Sequence, residues 1–244
     1  MHTIDKKLDF EITPQPNDTT CGPSCLHSIY RYYGNLKNLP EILSEVTPLK
    51  EGGTLAVYLG QHALRNGYDA TIYTYNLQVF DPSWFSKAGT NFPKKLKQRI
   101  EAKSDEKMKI ACNAYIEYLN LGGKILFKDL TVGLLKGILK KNIPILTGLS
   151  ATYLYRTPRE IDLGNDKIAF DDINGDPTGH FVVLYGYDLE KRVALVADPL
   201  QSNPISDTHY YKVSISRLAC SIMLATLTFD ANMLIITPKG MKFK

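Results

Sequence analysis

Sulfur is scarce in this chain: four cysteines, Cys21, Cys25, Cys112 and Cys220, stand among 244 residues. That is too few for a disulfide scaffold, and none sits in a CxxC pair suited to zinc, so free thiols are expected. Long apolar runs are missing as well. No stretch is long enough to cross a bilayer, and the first ten residues, with Lys6 and Lys7, hold no apolar core of a signal peptide. No membrane association and a cytoplasmic location follow as expectations. Charge of one sign is nowhere concentrated. The formal net charge is +4, and the densest basic stretch, residues 94–109, is interrupted by Glu101, Asp105 and Glu106. This is the pattern of a solvated amphipathic helix and not of a phosphate-binding stripe, so nucleic acid is not an expected partner. Repeats of solenoid period and Ser- or Gly-rich linkers are absent too, which excludes stacked arrays.

What remains is an ordinary globular composition, 44% hydrophobic and 22% charged, in a chain long enough to bury a sizeable core. A single domain over residues 1–244 is expected. Residues 22–33 put Cys25, Leu26, Ile29, Tyr30 and Tyr33 at the spacing of one helix face, and Gly34 supplies the stop. A short helix is predicted over 40–46, another from an N-cap at Thr54 to about Asn66 with Gly67 closing it, and a strand over 70–80. One long helix is predicted over about 93–121. Past Gly122 and Gly123 come a strand KILFK, a helix from Thr131 and a strand IPILTGLS. From Gly179 the texture turns β-rich. HFVVLYGYD and RVALVADPL flank a charged turn at Glu190 and Lys191, as in an antiparallel hairpin, and residues 210–215 and 233–237 can extend that sheet. The expected fold class is α+β: a mainly helical N-terminal half, then a C-terminal antiparallel sheet, with a cleft between the layers.

Three places carry chemistry. The first is QPNDTTCGPSCL, residues 15–26, where Cys21 opens a helix. A thiol there faces unpaired backbone N–H groups and the positive end of the helix dipole, both of which favour a thiolate. Gly22 permits close approach of a substrate, and Pro23 suits a first turn, where a missing N–H costs nothing. Gln15, six residues before Cys21, carries a side-chain amide that can join the Cys21 backbone N–H as donors to an oxyanion. The second place is His180, entering a hydrophobic strand behind Gly179, the setting of a general base. His27 and His62 fall inside predicted helices, and His2 and His209 have no comparable setting. The third is Asp198, ending the strand that neighbours the one His180 begins; a hairpin brings the two together, so the carboxylate can accept the second ring N–H of His180. Each has a plain structural reading: a surface Gln, an inert buried Cys, an edge-strand His, an Asp-Pro turn. Their order and spacing favour a joint role.

That order resembles papain-like thiol peptidases and, more closely, peptidase family C39, in Gln15, Cys21, Gly22, Leu26, the Tyr33-Gly34 pair, the His180 strand and Asp198-Pro199. The resemblance covers residues 10–35 and 178–200. It implies a papain-like fold with Cys21 and His180 on opposite walls of a cleft and no cofactor. It also implies a cysteine peptidase or amidase that forms a thioacyl-enzyme on a peptide or amide substrate. A transpeptidase or acyltransferase using the same site, or a binding module without turnover, are the alternatives. The papain signature would point to Cys25 in CGPSC, but the gap from Gln15 selects Cys21, and Cys25 shares a helix face with Ile29 as a packing residue does. Thr20 stands where the family often has an acid. The gap from Cys21 to His180 exceeds what a minimal C39 domain needs, so an insertion at about 75–125 is expected, serving as a lid, as an arm for a protein partner or as scaffold. C39 enzymes that cleave double-glycine leaders are typically joined to membrane exporters, whose nucleotide-binding motif and membrane spans this sequence lacks, so a stand-alone enzyme is expected. Residues 151–179, polar and turn-rich, are expected to border the cleft, and their Asp171–Asp176 acids read as a solvated loop because the distal Glu of an EF-hand is missing.

Overall fold

The computed structural model describes residues 4–50, 52–164 and 168–241. Its helices are α1 (Cys21–Tyr32), α2 (Leu39–Glu45), α3 (Ala56–Arg65), α4 (Phe92–Ala102), α5 (Glu106–Asn120), α6 (Val132–Leu139), α7 (Ala151–Tyr155) and α8 (Ile215–Leu224). Its strands are β1 (Lys6–Lys7), β2 (Tyr68–Thr74), β3 (Lys124–Leu126), β4 (Ile145–Ser150), β5 (Glu160–Asp162), β6 (Ile168–Phe170), β7 (Gly179–Asp188), β8 (Val193–Ala197), β9 (Tyr210–Ser214) and β10 (Asn232–Pro238). The α+β expectation holds. The sheet is larger than expected, however, because it also recruits strands from the first half of the chain. It runs β3-β2-β10-β4-β7-β8-β9, with β1 on β7, and is antiparallel except for β2 beside β3. No helix among the described residues is long and apolar enough to cross a membrane.

Helix α1 forms because Cys25, Leu26, Ile29 and Tyr30 recur on one face, all fully buried, and it packs against β7. A fully buried Leu or Ile contributes about 1.5–3 kcal/mol relative to exposure. Pro23 lies in the first turn and Gly34, at φ 77°, ends the helix in the left-handed region. The hairpin of β7 and β8 matches the sequence reading. Val183 faces Ala197 across it, which sets Asp198 opposite Val182 and diagonal to His180, on the same sheet face.

Local differences have local causes. The long helix expected over 93–121 is two, because Asp105 accepts the Met108 N–H at 2.7 Å and starts α5 afresh, as Asn91 does for α4. Thr54 does not cap α3. Its hydroxyl donates to the Thr47 carbonyl, and the Ala56 N–H is taken instead by Asp230, 174 positions away. The strand expected over 70–80 stops at Thr74, where Asn76 turns the chain by accepting the Gln78 N–H and donating to the Phe229 carbonyl. Residues 151–179 are not all loop: α7 leaves β4 directly, and β5 and β6 form a separate hairpin. Residues 165–167, inside that segment, lie outside the described residues. Asp171 closes a turn there, accepting from the backbone of Ile173 and Asn174 and from the Asn174 side chain.

Candidate active site

Cys21 is the first residue of α1, and no side chain caps that end. Thr20, which could, donates its hydroxyl to the Asn17 carbonyl. Because Pro23 has no N–H, the backbone donors left at this end are those of Cys21 and Gly22. Gly22 is required by space: a Cβ there would lie 2.9 Å from Thr54 Cγ2 and 3.2 Å from both Leu59 and Phe181. Such crowding seats the helix start hard against β7 and the chain before α3.

His180 enters from β7 and meets this end of α1. Its Nε2–H donates to Asp198 Oδ1 at 2.8 Å, leaving Nδ1 as the ring nitrogen open to Cys21, whose charge when ionised favours the imidazolium. The ring is 7% exposed, the Cys21 side 8% and Asp198 not at all. Burial pulls the imidazole down, but the Asp198 carboxylate, with Cys21 second, outweighs it and raises His180 to about 10. Asp198 answers in the other direction: burial pushes its carboxyl up, yet the His180 charge and the surrounding donors hold it below the usual range. Its oxygens are fully used. Oδ1 also accepts the Leu200 N–H at 2.9 Å, while Oδ2 accepts the hydroxyls of Tyr155 at 2.6 Å and Tyr211 at 2.7 Å.

The structure therefore brings together Cys21, His180 and Asp198. Gln15 is held at the same end, its N–H donating to the Pro199 carbonyl at 2.9 Å. One proton of its side-chain amide goes to the Asn17 carbonyl, and its Oε1 is buried without a protein partner. Cys25 lies one turn deeper, fully buried, its thiol on the Phe181 carbonyl; burial first, then the charges of Cys21 and Asp198, push that thiol well above its ordinary value. The packing role read for Cys25 fits this place. Sequence reasoning missed Tyr155 and Tyr211, which carry no local signal: one ends a five-residue helix and the other looks like any strand aromatic.

Cys21 and His180 line a cleft of about 620 Å³. The residue 151–179 segment borders it, as expected, through Glu160, Asp162, Asp176 and Thr178, and the lining also includes Thr19, Thr54 and Lys107 of α5. Asp230 lies on the same cleft, nearly buried; burial pushes it up to about 7 against the pull of the Ala56 N–H and Lys107. Two other hollows, of about 460 and 380 Å³, expose none of Gln15, Cys21, His180 or Asp198. Among the described residues no group of acids, histidines and cysteines is placed to hold a metal ion.

No protein among the curated sequences matches this chain. Solved structures similar to it include the double glycine motif protease of an AMS/PCAT transporter in complex with its leader peptide, at 14% identity and TM-score 0.45 over 96% of each chain. Another is the peptidase domain of Streptococcus ComA, a bi-functional ABC transporter involved in quorum sensing, at 12% identity and TM-score 0.43 over 94% of this chain and 99% of that one. A third is a C39-like peptidase from Bacillus anthracis, at 15% identity and TM-score 0.47 over 96% and 98%. Residues 7–219, most of the sequence, match the model of the Peptidase_C39 like family, and the chain belongs to that family.

Proposed function

We propose that the protein is a cysteine peptidase or amidase in which Cys21 is the nucleophile, His180 its acid–base partner and Asp198 the group that orients and charges the imidazole. The observation that carries this is the meeting of Cys21 and His180 on one cleft, with the far ring nitrogen of His180 fixed on a buried carboxylate. Membership of the Peptidase_C39 like family supports an amide substrate.

In this reading the imidazolium of His180 stands beside the Cys21 thiolate before substrate arrives. Sulfur bonds to the carbonyl carbon, and the carbonyl electron pair moves to oxygen. The backbone N–H of Cys21 and the second amide proton of Gln15, the one not given to Asn17, serve as its donors. As the tetrahedral species collapses the C–N bond breaks, and His180 gives its proton to the departing amine. Water then attacks the thioester while neutral His180 takes its proton, the C–S bond breaks, and the acid leaves with the Cys21 thiolate and His180 imidazolium restored. Lys107 brings the 75–125 segment onto the cleft, which supports a role for that segment at the substrate more than as a remote arm.

Incubation with a panel of peptide amides and peptide thioesters, followed by intact-mass spectrometry, tests the reading. An acyl adduct mapping to Cys21, with a released amine or thiol, is expected for wild type and not for Cys21→Ala. Turnover that survives Cys21→Ala, or an adduct on Cys25, overturns it.

A further inference from the structure

We infer that Tyr155 and Tyr211 are positioning residues: their two hydroxyls clamp Asp198 Oδ2 from opposite elements, so that Oδ1 is kept for His180 and the carboxylate cannot turn or take a proton. The inference rests on the catalytic reading above only in what the clamp is for; the clamp itself stands on geometry. Tyr155 donates from the end of α7 at 2.6 Å and Tyr211 from β9 at 2.7 Å, while His180 and the Leu200 N–H occupy Oδ1. Four donors converge on a carboxylate that is wholly buried. A carboxylate in such a place keeps its charge only if its lone pairs are filled, and one hydroxyl would leave Oδ2 half satisfied.

The alternative that the tyrosines merely fill space is disfavoured by direction. Both rings are anchored elsewhere by packing, and Tyr155 also lies against the His180 ring, 6.1 Å between centroids, yet both hydroxyls converge on the same oxygen. Burial first, then the neighbouring charge of Asp198, pushes both phenols far up, so they remain donors at every pH at which the protein works. The other groups facing Asp198 are His180 on β7, with Cys21 behind it, and Cys25 on α1, whose neutral thiol is given to the Phe181 carbonyl. On the chain side, His209 Nδ1–H donates to the Asp198 carbonyl at 2.8 Å and the Asp198 N–H to the His209 carbonyl. Among these only the two phenols are aimed at Oδ2. Tyr211 comes from a strand of the main sheet, whereas Tyr155 is the last residue of a helix whose next residue, Arg156, is left-handed.

The test removes only the hydroxyls. In protein carrying ¹³C at aspartate carboxyls, the Asp198 resonance is assigned by its loss in Asp198→Asn and titrated in wild type, Tyr155→Phe, Tyr211→Phe and the double variant. The clamp predicts a wild-type midpoint below the ordinary aspartate range, raised by about one pH unit in each single variant and further in the double. A purely structural role would lower the melting temperature and leave the midpoint where it was, and that result overturns the inference. Should the double variant fail to fold, either single variant decides. Alkylation of Cys21 by iodoacetamide at neutral pH supplies the link to chemistry: the Phe changes should slow it in the wild-type background and have no further effect in Asp198→Asn. Additive slowing there shows that the tyrosines act by another route and also overturns the inference. If Cys21 is unreactive in every form while the Asp198 midpoint moves, the nucleophile reading falls and the clamp stands.

Discussion

Asp230 offers a quantitative check on how the cleft wall is built. Asp230 is 6% exposed, stands in no ion pair among the described residues, and accepts the Ala56 N–H that opens α3 at 2.8 Å. Burial raises it from an ordinary 3.8 to about 7. Because the folded-state value lies above the unfolded one, the sign is the reverse of the usual carboxylate case. The native state is at full advantage below pH 4, and loses it as pH rises from about 4 to about 7, where the unfolded chain ionises first; above that the loss is constant. A gap of roughly three units at 1.36 kcal/mol each sets a ceiling of about 4 kcal/mol, and access from the cleft reduces it to on the order of 2–4 kcal/mol. Asp230→Asn keeps an acceptor for Ala56 and removes the charge, since Asn caps helices about as well as Asp. The variant should match wild type near pH 4 and exceed it at pH 8 by that amount. In a chain of this size that is on the order of 10 °C in melting temperature. Urea melts at several pH values read the difference, in which other titrating groups cancel. A variant no more stable than wild type at pH 8, or an advantage that persists undiminished at pH 4, would mean that Asp230 is not held protonated by its burial.

Other outcomes follow from the same contacts. Gly22→Ala should cost about 1–3 kcal/mol in a denaturant melt, because a Cβ there meets Thr54, Leu59 and Phe181, and it should slow Cys21 alkylation by shifting the helix start. Cys25→Ala should cost about 1 kcal/mol and leave Cys21 alkylation unchanged; in the wild-type fold Cys25 itself should stay unlabelled, being fully buried with its thiol pushed up. Asp198→Asn should lower the His180 titration well below about 10, since burial is then opposed by Cys21 alone. In wild type the charge pair's stabilisation is complete below about 6.5 and is lost as pH rises through about 10. An ¹⁵N titration of the imidazole follows both.

Much of this site is legible in the sequence because it is built from short-range signals. Pro23 and Gly34 bracket α1, so Cys21 falls at its start, and the charged turn between β7 and β8 fixes the hairpin that sets Asp198 diagonal to His180. What is not legible depends on distant pairing. Nothing around Thr74 says that β2 will pair with β10 over seven positions, nor that β4 will lie between β10 and β7. The same holds for Asp230, whose bond to Ala56 displaces the cap expected from Thr54. Tyr155 and Tyr211 approach Asp198 from segments 43 and 13 residues away. The spacing of Gln15 from Cys21 is legible, but its side-chain bond to the Asn17 carbonyl is a turn contact that spacing does not reveal.

If His180 activates the Cys21 thiol, the rate at which Cys21 reacts with an electrophile must depend on His180. Brief exposure to iodoacetamide at neutral pH, followed by intact mass and peptide mapping, addresses it in wild type, Cys21→Ala and His180→Ala. Labelling at Cys21 should outpace that of the exposed Cys220, vanish from the Cys21 peptide in Cys21→Ala and slow markedly in His180→Ala, while the buried Cys25 and Cys112 stay unmodified. Slow labelling of Cys21 at a rate indifferent to His180, or faster labelling at Cys25, would contradict the activation by His180.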